Sequence, residues 1–154
     1  MPSASRRSQW FAVGGLGLAA LALGVATQPV AAAEPIVEYR EAIMEAIGGH
    51  TGALKQIITG GVTFADQAKP HVLALGSLAK MVDGIFPPGS GADSHALPAI
   101  WEKPADFAKA VSAFKSAVAE LEKQADASPR EMAPAFEGLV KSCKGCHDSF
   151  RKKD

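Results

Sequence analysis

The chain has 154 residues, 16 basic and 16 acidic side chains, two Cys and a formal charge of zero. That balance excludes a strongly basic nucleic-acid binder, whose phosphate contacts need clustered Lys and Arg. Two Cys also exclude a disulfide-rich scaffold.

Residues 1–33 carry Arg6 and Arg7 and no acid, and read as a leader. Arg6-Arg7 form a positive n-region, and Trp10–Ala26 is an uncharged, largely apolar h-region. Val30-Ala31-Ala32-Ala33 places small residues where a signal peptidase reads, so cleavage is expected before Glu34. The competing reading keeps Trp10–Ala26 as an N-terminal anchor. Ser8-Gln9-Trp10 fits the twin-arginine signal poorly, which favours the general export route. Residues 34–154 then form one small domain of 121 residues, with 14 basic and 16 acidic side chains and a charge of about −2. Its apolar runs are too short to span a bilayer.

Four segments of this domain have helical periodicity and none shows useful β alternation. The first is expected from about Pro35 to Thr59, with Val37, Arg40, Met44, Ile47, Leu54 and Ile58 along one face and Gly60-Gly61 ending it. The second runs from about Ala65 to Asp83, with Asp66 as N-cap and Val72, Leu75, Leu78/Ala79, Val82 and Phe86 inward. Pro70 is near enough to its start to be tolerated. A Gly- and Pro-rich loop follows, Pro87–Lys103. The third helix spans about Pro104–Ala127, where Phe107, Val111, Phe114, Val118 and Leu121 repeat at steps of four and three. The fourth opens on Ser128-Pro129-Arg130-Glu131, a capping box with Pro at the first helical position. It continues to about Lys152, with Phe136, Val140, Cys143, His147 and Phe150 inward, and Pro134 should bend or delay its first turns. The two short links imply an all-α, antiparallel up-down-up-down four-helix bundle.

The only cysteines stand in Cys143-Lys144-Gly145-Cys146-His147. C-x-x-C-H is the attachment signature of a c-type haem. Each thiol adds to one haem vinyl group, and the adjacent imidazole of His147 can reach the iron. Attachment consumes both thiols, which explains two Cys in an exported chain without a disulfide. The rivals are weaker. A thioredoxin-like C-x-x-C needs a βαβ setting, and zinc needs four ligands that His50, His71 and His95 do not complete by spacing. An oxidised C-x-x-C without cofactor is the remaining alternative.

With that motif at the C-terminus, on the last helix of a bundle, the chain resembles the class II c-type cytochromes, which comprise cytochrome c′ and the low-spin cytochromes c-556. The matching points are Tyr39-Arg40 with Met44, Phe86-Pro-Pro-Gly-Ser, Pro98-Ala-Ile-Trp101, and Cys143-Lys-Gly-Cys-His-Asp-Ser-Phe-Arg151. The resemblance covers Glu34–Asp154. Phe150 stands where many members have Tyr.

The sixth iron position decides what such a protein does. An open site binds NO or CO, whereas a second strong ligand makes an electron carrier. Met132 lies fifteen residues before His147 on the same helix, about 22 Å away, and is excluded. Spacing leaves Met44 and Met81 nearly even. The resemblance separates them: high-spin members usually carry Leu, Tyr or Phe at the place of Met44, and in c-556 proteins a Met there is the axial ligand. It also implies a salt bridge from Arg40 to a haem propionate, the alternative being an exposed helical Arg. Phe86, Trp101 and Phe107 are candidate pocket walls or plain core, and His95 is expected as a solvent-facing loop residue. Arg151 is expected to tune the proximal side or to favour the helix C-terminus.

The resulting expectation is an exported monohaem c-type cytochrome with one haem c held by Cys143 and Cys146. Its iron would lie between His147 and Met44, carrying one electron between periplasmic donor and acceptor proteins. The alternative is a high-spin cytochrome c′ that binds NO or CO at an open distal site. The resemblance also admits a homodimer. No acid–base or nucleophile constellation marks an enzyme.

Overall fold

The computed structural model describes residues 35–153. The expected leader and its cleavage site lie outside them. The described residues form five α-helices: α1 (Pro35–Ile58), α2 (Ala68–Ala79), the short α3 (Ala99–Glu102), α4 (Pro104–Glu122) and α5 (Pro129–Phe150). They contain no strand, only an isolated bridge between Ala96 and Arg151. The four long helices pack in a ring, α1 on α2, α2 on α4, α4 on α5 and α5 on α1. Links over 59–64 and 123–128 are too short for anything but antiparallel neighbours, so this is the expected up-down-up-down bundle. Among the described residues, no helix is long and apolar enough to cross a membrane.

The Gly pair ends α1 by a defined route. Gly60 takes φ +75°, its N–H donates to Ile57 O at 3.2 Å, and the Gly61 N–H donates to Gln56 O at 2.8 Å. These two bonds satisfy carbonyls that the helix end would otherwise leave open.

The second segment departs from expectation at both ends. Asp66 lies inside a 3-10 turn, Ala65–Gln67, and its side chain caps nothing. The α-helix begins at Ala68 and stops at Ala79; a second 3-10 turn, Val82–Gly84, follows. The Met81 N–H reaches back only three residues, to Leu78 O at 2.9 Å. That tighter winding keeps Val82 buried but turns Met81 outward, leaving it 43% exposed.

In the α4 seam Val111, Phe114, Val118 and Leu121 are buried and Phe107 is half-buried, and the helix ends at Glu122 rather than near Ala127. In α5 the capping box forms, with the Glu131 N–H donating to Ser128 Oγ and the Ser128 N–H to Glu131 Oε2. Pro134 sits inside the helix without delaying its start. The inward stripe of α5 differs from expectation. Met132, Phe136, Leu139 and Phe150 are buried and Cys143 and Cys146 half-buried, whereas Val140 is 43% exposed and His147 is also exposed. The true seam alternates steps of four and three, from 132 through 136, 139, 143 and 146 to 150. A step of four at 140 and again at 147 drifts about 40° off it.

Candidate haem site

Helix α5 carries the two cysteines into different parts of the interior. Cys143 packs against the main core cluster, the same cluster that Met44 of α1 packs on. Cys146 packs with Trp101 and Phe107 on a smaller cluster of Ala96, Ile100 and Phe150. Both thiols are free. Burial pushes both above the ordinary thiol range, and for Cys146 the neighbouring Cys143 adds to the effect. His147, at the edge of the seam, has its pKa lowered by desolvation and then by the Arg151 charge, against a raising contribution from Asp148. A lowered pKa keeps the imidazole neutral near pH 7, with a lone pair available for metal. A groove of about 430 Å³ opens beside Cys146, lined among others by Ala99, Lys103, Lys109 and Phe150.

A chain of aromatic rings joins this helix to α1. Phe150 stands edge-on to Phe107 at 5.3 Å between centroids, and Phe107 edge-on to Phe86 at 4.9 Å. The Arg40 guanidinium carbon lies 4.9 Å from the centre of the Phe86 ring. Phe86 and Phe107 pack on both clusters, so they are shared walls and core at once.

Arg40 is not an exposed helical cation: it is 4% exposed. Its Nη1 donates to Ile85 O at 3.2 Å and Ser90 Oγ at 3.0 Å, and its Nη2 donates to Ser90 O at 2.7 Å. All three acceptors are uncharged. Desolvation lowers the Arg40 pKa, with Glu41 acting in the opposite direction, but a guanidinium stays protonated. The opposite side of the loop is pinned by Trp101, whose Nε1 donates to Pro87 O at 3.0 Å and Phe86 O at 3.3 Å. The Trp101 ring also lies against Gly91, where a Cβ would come within 2.7 Å of it. Residues 95–97 are tied to the end of α5 by Leu97 N–H to Phe150 O at 2.9 Å and Lys152 N–H to His95 O at 2.8 Å.

Ser90 and the Ile85 carbonyl were not legible as site elements. Their partner is fifty and forty-five residues away, and the only local signal is the Pro-Pro-Gly-Ser turn, in which Gly89 takes φ +86°. Of the two methionines left open by spacing, Met44 is half-buried and packs on the main core cluster, and Met81 stands at the surface. His95 is exposed in the loop, with its Nδ1 3.5 Å from Glu41 Oε1. Among the described residues, no three His, Cys, Asp or Glu side chains gather to hold a metal ion.

Two free thiols on one helix face, an adjacent imidazole, apolar and aromatic walls, and a buried cation with only neutral acceptors fit a covalently bound haem. Fold and donor set together define a c-type haem protein built on a four-helix bundle. The family model described as cytochrome c′ matches residues 35–151. A cytochrome c-556 from Agrobacterium tumefaciens is 37% identical over 125 residues, covering 76% of this chain and 97% of that one. The solved cytochrome c′ from Rhodobacter spheriodes superposes with a TM-score of 0.73 at 35% identity, covering 80% of this chain and all of the other. A ferrous variant of cytochrome c prime from Alcaligenes xylosoxidans with bound NO superposes at 0.74 and 31% identity, covering 80% of this chain and 98% of that one. The chain belongs to the cytochrome c′ family, whose cofactor is haem c with its iron.

Proposed function

We propose that the chain is exported, cleaved before Glu34, and carries single electrons between periplasmic donor and acceptor proteins, with its iron held between His147 and Met44. Bound haem c supplies the one-electron Fe(III)/Fe(II) couple. Cys143 and Cys146 anchor it by thioether bonds, and the neutral imidazole of His147 is the proximal donor. The thioether of Met44 is a soft donor that favours ferrous iron, and unchanged coordination in both states keeps reorganisation small. Arg40 engages three of its five N–H groups with the loop, leaving Nε–H and one Nη2–H for a propionate carboxylate.

The observation that carries this reading is that the half-buried Met44 packs against the same large core cluster as Cys143, while Met81 is turned to solvent. The likeness to a cytochrome c-556 supports a c-type cytochrome under either ligation. The second reading, an open site for NO or CO with Met44 only lining the distal pocket, draws on the likeness to the NO-bound relative. Absorption spectra of the purified oxidised and reduced protein separate the two. Low-spin iron in both states supports the electron carrier, and high-spin iron moves the protein to the gas-binding class. Intact mass of periplasmic material tests export: a mass that retains Trp10–Ala26 refutes cleavage before Glu34.

A further inference from the structure

Away from the cysteines, α1 and α2 bring two histidines into direct contact. His50 Nδ1 and His71 Nδ1 are 2.9 Å apart, with ring centroids 5.1 Å apart and planes inclined at 60°. His50 lies six residues beyond Met44 on α1, about 9 Å of helical rise, so this pair is separate from the iron ligands proposed above. Both rings are half-buried, which fixes their backbones in the bundle yet leaves an approach from solvent.

We infer that His50 and His71 form a two-histidine site for a divalent transition-metal ion, Cu(II) in preference to Zn(II). Imidazole nitrogens bind such ions at about 2.0–2.1 Å. At that bond length, two nitrogens 2.9 Å apart subtend an angle of about 90° at the metal. A right angle is the cis arrangement of square-planar and tetragonal Cu(II) and Ni(II), and is tight for tetrahedral zinc. The intrinsic affinity order also places Cu(II) first. Without metal, one Nδ1–H donates to the other Nδ1, and a single proton occupies the contact. To ligate, the donor ring moves that proton to its own Nε2 through solvent, so binding needs no net proton release between neutral rings. Each ring must also turn by about 45° to aim its lone pair at a common apex instead of at its neighbour. Water completes the coordination, since no third His, Cys, Asp or Glu joins the pair among the described residues. The ion would cross-link α1 and α2 through residues 21 positions apart.

The test uses the haem-loaded protein, in which the thiols are already consumed. Titration with CuCl₂ in a weakly coordinating buffer should show one equivalent bound per chain, with an EPR spectrum of two nitrogen ligands and an unchanged haem absorption spectrum. ZnCl₂ should bind at least tenfold more weakly, and Cu(II) should raise the melting temperature. His50→Gln and His71→Gln should each abolish the one-equivalent site, whereas His95→Gln, in the exposed loop, should leave it intact. Far-UV CD and the haem spectrum establish that the variants are folded. No stoichiometric Cu(II) binding by the folded wild type, or binding that survives both His50→Gln and His71→Gln, overturns the inference. The spin state of the haem iron does not enter this test, so it fails or stands independently of the electron-carrier reading.

Discussion

Replacing Met44 with Ala tests the proposed ligand directly, and the structure indicates that the variant will stay folded. Met44 is half-buried against the main core. Truncating a fully buried Met costs about 2–5 kcal/mol, so a half-buried one should cost about 1–2.5 kcal/mol. A domain of this kind has about 5–15 kcal/mol of stability, which leaves the bundle intact. Ala also keeps α1 helical. A spectral change in Met44→Ala therefore reports on the iron and not on unfolding. The wild type should be low-spin in both oxidation states and bind CO poorly, because the thioether competes for the same position. Met44→Ala should become high-spin and gain CO affinity by at least about tenfold, which is about 1.4 kcal/mol of competition removed. Met81→Ala, in a 43% exposed side chain, should leave the spectrum low-spin and cost less stability. A high-spin wild type, or a Met44→Ala variant that stays low-spin, refutes the His147/Met44 assignment. A spin change in Met81→Ala would instead move the ligand to the turn after α2.

Three further outcomes follow from the geometry. Cys143→Ala with Cys146→Ala should abolish covalent attachment, read as haem lost on acid–acetone extraction, and should leave a poorly folded bundle; haem that extracts freely from the native sequence would sink the motif assignment. Arg40→Met leaves the buried carbonyls of Ile85 and Ser90 without their donor, at a cost on the order of 2–4 kcal/mol in urea unfolding; amide exchange over residues 85–91 should quicken before the rest of the bundle. Ser128→Ala should lower the melting temperature by a few degrees through loss of the α5 cap. Its effect also has a pH window. Hydrogen bonds from Ser128 hold the Glu131 carboxyl below its ordinary range, so this contribution is present above about pH 4.5 and fades as pH falls through the depressed value. The gap between the wild-type and Ser128→Ala melting temperatures should therefore narrow in acid without closing, since the bond from Glu131 N–H to Ser128 Oγ does not need the carboxylate, and a gap that stays constant down to pH 2 would contradict the carboxylate's share in the cap.

How much of this was legible in the sequence depended on whether the signal was local. C-x-x-C-H, the Ser128 capping box, the Gly60-Gly61 stop and the α4 seam are each written within a few residues, and their chemistry is set by spacing along one helix. The four-helix count and the antiparallel order follow from the same periodicities and the short links. Other features depended on neighbours that spacing cannot name. The inward edge of α5 departs from the periodic expectation at Val140 and His147, because the helices that receive the seam choose between steps of three and four. The early stop of α2, which separates Met81 from Met44, comes from a 3-10 turn that keeps Val82 in the core. The burial of Arg40 needed Ser90 and Ile85 to return across the loop, and the His50–His71 contact needed α1 and α2 to be placed side by side. Long-range partners have no local signature, since a hydrogen bond over twenty-one or fifty residues is decided by packing. The sequence by itself therefore determined the cofactor chemistry and the fold class, and only the tertiary structure decided which side chains surround the site.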